Sequence, residues 1–264
     1  MITRTLFRAS YLSVFAAAAI AASAADKAAE TSTGKPTIVL VHGAFEDGSA
    51  WQQVIAILQH DKYSVVAVQT PLTSLAADAQ ATKRVVDALN GPVVMAGHSW
   101  GGAVITEAAA GDTRVKGLVY IAAFAPDANE IVTAYGDKYP TRLGAALRPD
   151  SAGFLTVDPA QFQDLFARDV PATAARVAAA TQKPMLGSAF GESVVHAGWR
   201  SVPTWYVITL QDQAIQPDLQ RFYAERMKAK TTEIEASHAV IASQPAKVAR
   251  VIEEAARTSM HGEF

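Results

Sequence analysis

Apolar and polar positions alternate along this chain in two different rhythms. Thr37-Ile38-Val39-Leu40-Val41 is an unbroken β-branched run, the kind buried on both faces of a parallel sheet. Trp51, Val54, Ile55 and Leu58 then recur at helical spacing within residues 49–59, and residues 63–69 read as a strand. Leu75, Ala79, Thr82, Val86 and Leu89 form a stripe at spacings of three and four, with Thr73 or Ser74 as N-cap and Asn90-Gly91 as stop. A strand over 93–96, a helix over 101–110 and a strand over 115–122 continue the alternation. Strand and helix taking turns in this way predict an open, mostly parallel α/β sheet with helices on both faces.

The rhythm breaks between about 126 and 201, where Pro140, Pro149, Pro159, Pro171 and Pro184 divide the chain into short pieces without a strong buried strand. Phe154, Leu155, Phe162, Leu165, Phe166, Phe190 and Trp199 make this stretch too apolar for disorder, so it is expected to be a small folded cap over the sheet. The alternation resumes with a strand over 205–210, a helix over 217–228 with Pro217 in its first turn, a strand over 231–235 and a last helix from about Pro245. The sequence carries no internal repeat.

Composition narrows the classes. At 264 residues with 50% hydrophobic and 18% charged content, the chain has enough for one substantial core and too little for two ordinary catalytic domains. A formal charge of -2 and no basic stripe argue against nucleic acid as a partner, leaving a small, weakly charged ligand as the expected one. The absence of cysteine excludes disulfides, thiolate metal sites and a cysteine nucleophile, so covalent catalysis would fall to Ser, Thr or a carboxylate. No phosphate loop or metal-ligand cluster calls for a cofactor.

Residues 1–24 read as an export signal: Arg4 and Arg8 give a positive start, residues 11–21 an apolar stretch, and Ala22-Ser23-Ala24 a small-residue cleavage site. The stretch is too short and alanine-rich for a membrane anchor, and small residues follow it. A periplasmic or secreted protein is expected, with a polar lead-in over 25–36 and the folded domain over 37–264.

The candidate chemistry centres on Gly97-His98-Ser99-Trp100-Gly101. A serine between a strand and a helix, flanked by glycines two positions away, suits a sharp turn that pushes the hydroxyl clear of the backbone. Serine needs a base and an orienting acid, which in open α/β sheets gather beyond the carboxyl ends of strands. Of His42, His60, His98, His196, His238 and His261, only His238 follows a late strand and precedes the terminal helix. His60 and His261 read as solvated, His196 lies in the cap, and His98 is expected to face away from Ser99. Asp212 closes the strand after the cap and is the favoured acid, with Asp127 the runner-up and Asp218 a first-turn helix charge. Trp100 N–H, and Ala44 N–H in the turn His42-Gly43-Ala44, are the expected oxyanion donors. Phe45, Phe154, Phe190 and Trp199 are candidate pocket residues.

On these motifs the chain resembles the α/β-hydrolase superfamily, and within it the branch of plant methyl esterases and hydroxynitrile lyases with their bacterial relatives. The matching segments are Val39-Leu40-Val41-His42-Gly43-Ala44, Gly97 to Gly102, Asp212-Gln213-Ala214-Ile215 with Pro217, and Ser237-His238-Ala239. The resemblance implies Ser99 as nucleophile, Asp212 as acid, His238 as base and Ala44 and Trp100 as oxyanion donors, with no cofactor. The cyanohydrin-cleaving relatives carry a hydroxyl residue where Gly43 stands and a lysine where Ala239 stands, so these two positions point to an esterase of small apolar or aryl esters. A noncatalytic ligand-binding protein, and a cofactor-free lyase or perhydrolase using the same three residues, are the rival readings.

Overall fold

In a computed structural model that describes residues 34–261, the chain from Pro36 onward forms one compact unit. The export-signal reading of 1–24, and nearly all of the lead-in, lie outside the described residues. A six-stranded sheet runs in the order β2-β1-β3-β4-β8-β9, and every neighbouring pair is parallel. These strands are β1 (Thr37–Val41), β2 (Val65–Val68), β3 (Val93–His98), β4 (Val115–Ile121), β8 (Thr204–Thr209) and β9 (Lys230–Ile234). The expected α/β class is therefore the observed one, with strand ends within a few residues of expectation.

Strand alternation decides which helices pack where. Ile38, Leu40, Val94, Ala96, Val119 and Ile121 face one side, against α1 (Gln52–His60), α7 (Val240–Ser243) and α8 (Pro245–His261). Val39, Val41, Val93, Met95, Leu118 and Tyr120 face the other, against α2 (Leu75–Asp87), α3 (Trp100–Ala108) and α6 (Pro217–Arg226). The N-cap of α2 is Ser74, whose hydroxyl accepts from Ala77 N at 2.9 Å, a contact worth about 1 kcal/mol to such a helix. Among the described residues no helix is long and apolar enough to cross a membrane.

The segment between β4 and β8 is folded. It carries a three-stranded antiparallel sheet of β5 (Leu147–Pro149), β6 (Phe154–Val157) and β7 (Met185–Leu186), with helices α4 (Pro159–Leu165) and α5 (Ala172–Ala180). These strands are two to four residues long and only partly buried, in keeping with the lack of a strong buried strand in this stretch of the sequence. The chain runs outward from β1 to β2 and then crosses back to place β3 on the other side of β1. That reversal opens a crevice at the carboxyl ends of β1 and β3, the usual ligand position in such sheets.

Candidate active site

Ser99 sits at that crevice. It is the N-cap of α3 with φ 53° and ψ -119°, a left-handed backbone that a serine adopts only when its surroundings force it. The forcing contacts are steric: a Cβ on Gly97 would lie 2.4 Å from Gly101 O, and one on Gly101 would lie 2.3 Å from Val41 O. Glycine at both positions lets α3 start directly against the end of β1. The turn leaves the Trp100 N–H at the first turn of a helix, and Ala44 follows β1 one residue before Phe45, itself at φ 65°. Among the described residues neither the Ala44 nor the Trp100 N–H donates to a protein acceptor.

Asp212 and His238 meet at the end of β8 and β9. His238 Nδ1 lies 2.8 Å from Asp212 Oδ2, with both side chains almost wholly buried. The carboxylate is saturated: Ala214 N and Ile215 N donate to Oδ1 at 2.7 and 2.9 Å, and Thr209 Oγ1 and Gln220 Nε2 donate to Oδ2 at 2.9 and 3.0 Å. An acceptor-only carboxylate facing Nδ1 requires a proton on that nitrogen, which makes Nε2 the lone-pair nitrogen of the neutral ring. His238 Nε2 is buried without a hydrogen-bond partner, so no bond to Ser99 Oγ is made in this structure. The imidazole is held between two rings, His98 at 4.8 Å and Phe166 at 4.7 Å between centroids, the latter nearly perpendicular. The loop around it is bolted to the end of α4: Ala239 N donates to Phe166 O at 3.0 Å, and Ser237 Oγ donates to Asp169.

The other candidates go elsewhere. Asp127 is taken up by Arg200 and by Ala128 N, and the Arg200 guanidinium holds its carboxyl below the usual carboxylate range. Asp218 is a first-turn charge of α6 paired with Arg221. His60 is solvated and pairs with Asp61, while His196 pairs with Glu107 on the cap side. The side chain of His261 lies outside the described residues. His42 is buried and acts on the turn itself: Nε2 accepts from Thr70 N at 3.2 Å and Nδ1 donates to Gly43 O at 2.8 Å. Burial pushes its pKa down, so it stays neutral. Of the four aromatic candidates, Phe190 lies 5.4 Å from the Trp100 ring and edge-on to it. Phe45 bridges to Lys183 of the cap beside Ala44, and Phe154 sits in β6. Trp199 is buried with its indole N–H on Pro126 O and two guanidiniums, of Arg200 and Arg226, over its ring.

Three residues of the site were missed by sequence reasoning. His98 has partners of its own away from the Ser99 side chain: its Nε2 meets His238 O at 2.9 Å and its Nδ1 meets Glu46 Oε2 at 2.8 Å. Glu46 Oε2 also accepts from Gly43 N at 3.1 Å. Asp78, fully buried on α2, accepts from Trp100 Nε1 and from Leu72 N, each at 2.8 Å, and burial pushes its pKa up. Asp78 was visible as a charge three residues after Leu75 on an apolar stripe. The pairing of Glu46 with His98, 52 positions apart, left no local trace.

Residues 38–251 match the model of the alpha/beta hydrolase family. The chain belongs to that family. Among curated relatives it is 26% identical to a probable hydrolase of Phoma sp., over 84% of this chain and 98% of that protein. It is 26% identical to an alpha-hydroxynitrile lyase of Arabidopsis thaliana, over 81% and 94%. Among solved structures, polyneuridine aldehyde esterase superposes with a TM-score of 0.73 at 19% identity, covering 83% of this chain and 98% of that one. A pyrethroid hydrolase from Sphingobium faniae gives 0.72 at 20% identity, covering 84% and 97%. At such identities the superpositions establish the alpha/beta hydrolase fold.

Proposed function

We propose that this member of the alpha/beta hydrolase family cleaves small apolar or aryl carboxylic esters through an acyl-enzyme on Ser99. The observation that carries the reading is the buried Asp212–His238 pair, which leaves Nε2 without a hydrogen-bond partner at the same sheet edge as a serine held in a left-handed turn. Ser99 Oγ attacks the ester carbonyl carbon as its proton passes to His238 Nε2, and Asp212 offsets the imidazolium formed. The Ala44 and Trp100 N–H groups receive the oxyanion, each worth about 3 kcal/mol in such sites. His238 then gives the proton to the departing alcohol oxygen as the C–O bond breaks. Water, deprotonated by the same nitrogen, releases the acid and restores Ser99.

Gly43 favours hydrolysis over cyanohydrin cleavage. A Cβ there would lie 2.9 Å from Ser99 Cβ, 3.0 Å from Glu46 Oε2 and 3.2 Å from His98 Nδ1. A hydroxyl side chain therefore has no room beside the nucleophile, and Ala239 supplies no ammonium for a leaving cyanide. The names of the superposed structures, one an esterase and one a hydrolase, agree with this reading. The ring of Phe190 against Trp100 and the apolar cap favour apolar acyl or aryl groups. Export to the periplasm or medium is proposed from Arg4, Arg8 and the Ala22-Ser23-Ala24 site.

The test is p-nitrophenyl acetate turnover with fluorophosphonate labelling of the purified protein. A burst of nitrophenol and stoichiometric labelling, both lost in Ser99→Ala, are expected. Absence of both in the wild type would favour ligand binding without catalysis, and mandelonitrile cleavage exceeding ester turnover would favour the lyase.

A further inference from the structure

The site contains a second carboxylate–imidazole pair that the proposed reaction does not use. Glu46 and His98 lie behind Ser99 and His238, and the His98 side chain is wholly buried. The chemistry of their partners constrains where the protons sit. His98 Nε2 faces a carbonyl, His238 O, which can only accept, so Nε2 carries a proton. His98 Nδ1 faces Glu46 Oε2, and that same oxygen accepts from the Gly43 N–H. With Glu46 ionised, that oxygen is an acceptor for the imidazole as well, which places a proton on Nδ1 too. All three bonds form together when His98 is an imidazolium and Glu46 a carboxylate. The shifts agree: burial would lower His98 and raise Glu46, but each one's attraction for the other prevails, so His98 is raised and Glu46 lowered.

We infer that Glu46 and His98 are positioning residues for the reaction, a buried ion pair that ties the main chain of His238 to the Gly43 turn and so sets the base and the oxyanion donors at one spacing. The inference rests on the assignment of His238 as base and the residue 43–44 turn as oxyanion site. Doubly protonated, His98 has no lone pair, which keeps an imidazole next in sequence to the nucleophile out of the proton transfer. Its Nε2–H draws on the carbonyl of His238, while Asp212 holds the ring of the same residue. The base is thereby fixed at both its backbone and its side chain. On the other arm, the Glu46 carboxylate holds Gly43 N, one residue before the Ala44 N–H.

Glu46→Gln tests this without changing shape. With an amide oxygen at the Oε2 position, a neutral His98 that donates from Nδ1 loses its bond to His238 O. With the amide nitrogen there, Gly43 N–H meets a donor. Either way one of the three bonds is lost, and displacement of the reacting groups by a fraction of an ångström to about 1 Å lowers kcat about 10- to 100-fold. Expected for Glu46→Gln is that loss in kcat for p-nitrophenyl acetate, KM changed less than about twofold, and an equal fall in the rate of fluorophosphonate labelling. In the wild-type protein labelled with 15N-histidine, His98 should show two protonated ring nitrogens from about pH 6 to 8, and one in Glu46→Gln. A singly protonated His98 in the wild type, or an unchanged kcat in Glu46→Gln, overturns the inference. A wild-type protein with no ester turnover but a doubly protonated His98 would refute the esterase reading while leaving the pair standing.

Discussion

Gly101→Ala is the sharpest perturbation of the elbow. The added Cβ would meet Val41 O at 2.3 Å, His42 O at 2.8 Å and Val41 C at 2.9 Å, all backbone atoms that cannot swing aside. Ordinary contact begins near 3.4 Å, so α3 must move from the end of β1 by about 1.1 Å. Overpacking on that scale costs about 1–3 kcal/mol, or a Tm lower by roughly 3–10 °C in a chain of this size. The movement falls on the helix end that carries the Trp100 N–H. Loss of one oxyanion donor is worth about 3 kcal/mol, or about 10²-fold in kcat. Thermal unfolding by circular dichroism and p-nitrophenyl acetate kinetics read the two effects separately. Gly144→Ala, where nothing lies within 4 Å of the new Cβ, serves as the comparison. If Gly101→Ala melts with Gly144→Ala and keeps kcat within about twofold, the close approach of α3 to β1 is not what shapes the elbow.

Other outcomes follow from single contacts. Asp212→Asn should leave the fold intact and lower kcat by about 10³- to 10⁴-fold, because the amide stabilises the wrong tautomer of His238; equal kcat in the two proteins would remove Asp212 from the mechanism. Asp78→Asn turns one acceptor toward the Trp100 indole into a donor and should cost about 1–3 kcal/mol in urea unfolding, a loss absent if Asp78 only fills space. The Glu46–His98 pair predicts a pH signature. Glu46, lowered in the folded state, stabilises above its unfolded pKa near about 4.3 and loses that contribution as pH falls through its folded value. His98, raised in the folded state, stabilises below its unfolded pKa near about 6.5 and loses that contribution as pH rises through its folded value. The groups that act on the pair from neighbouring segments are His42, Asp212 and His238. The wild type should therefore gain stability over Glu46→Gln chiefly between those two values, measured by denaturant unfolding across pH; a difference that grows steadily into alkali would contradict the pair.

Much of the fold was legible because its signals are local. A β-branched run of five residues, a stripe at three and four, and a serine bracketed by glycines each reflect constraints between near neighbours in the chain. The parallel sheet, the elbow at Ser99 and the placement of Asp212 and His238 at late strand ends follow from those runs and their order. Asp212 could be preferred over Asp127 on strand position alone, and in the structure Asp212 reaches His238 while Asp127 is held by Arg200.

The remainder depends on contacts between distant segments. The three short cap strands are stabilised by each other, β6 pairing with both β5 and β7, and none has a period long enough to announce itself. Glu46 and His98 are unremarkable letters until β1 and β3 are laid side by side, which brings the loop after β1 within a hydrogen bond of the last residue of β3. Asp78 becomes a partner of Trp100 only when α2 packs on α3. Periodicity records how one segment meets a surface, whereas the identity of that surface is settled when the burial of all segments is satisfied together.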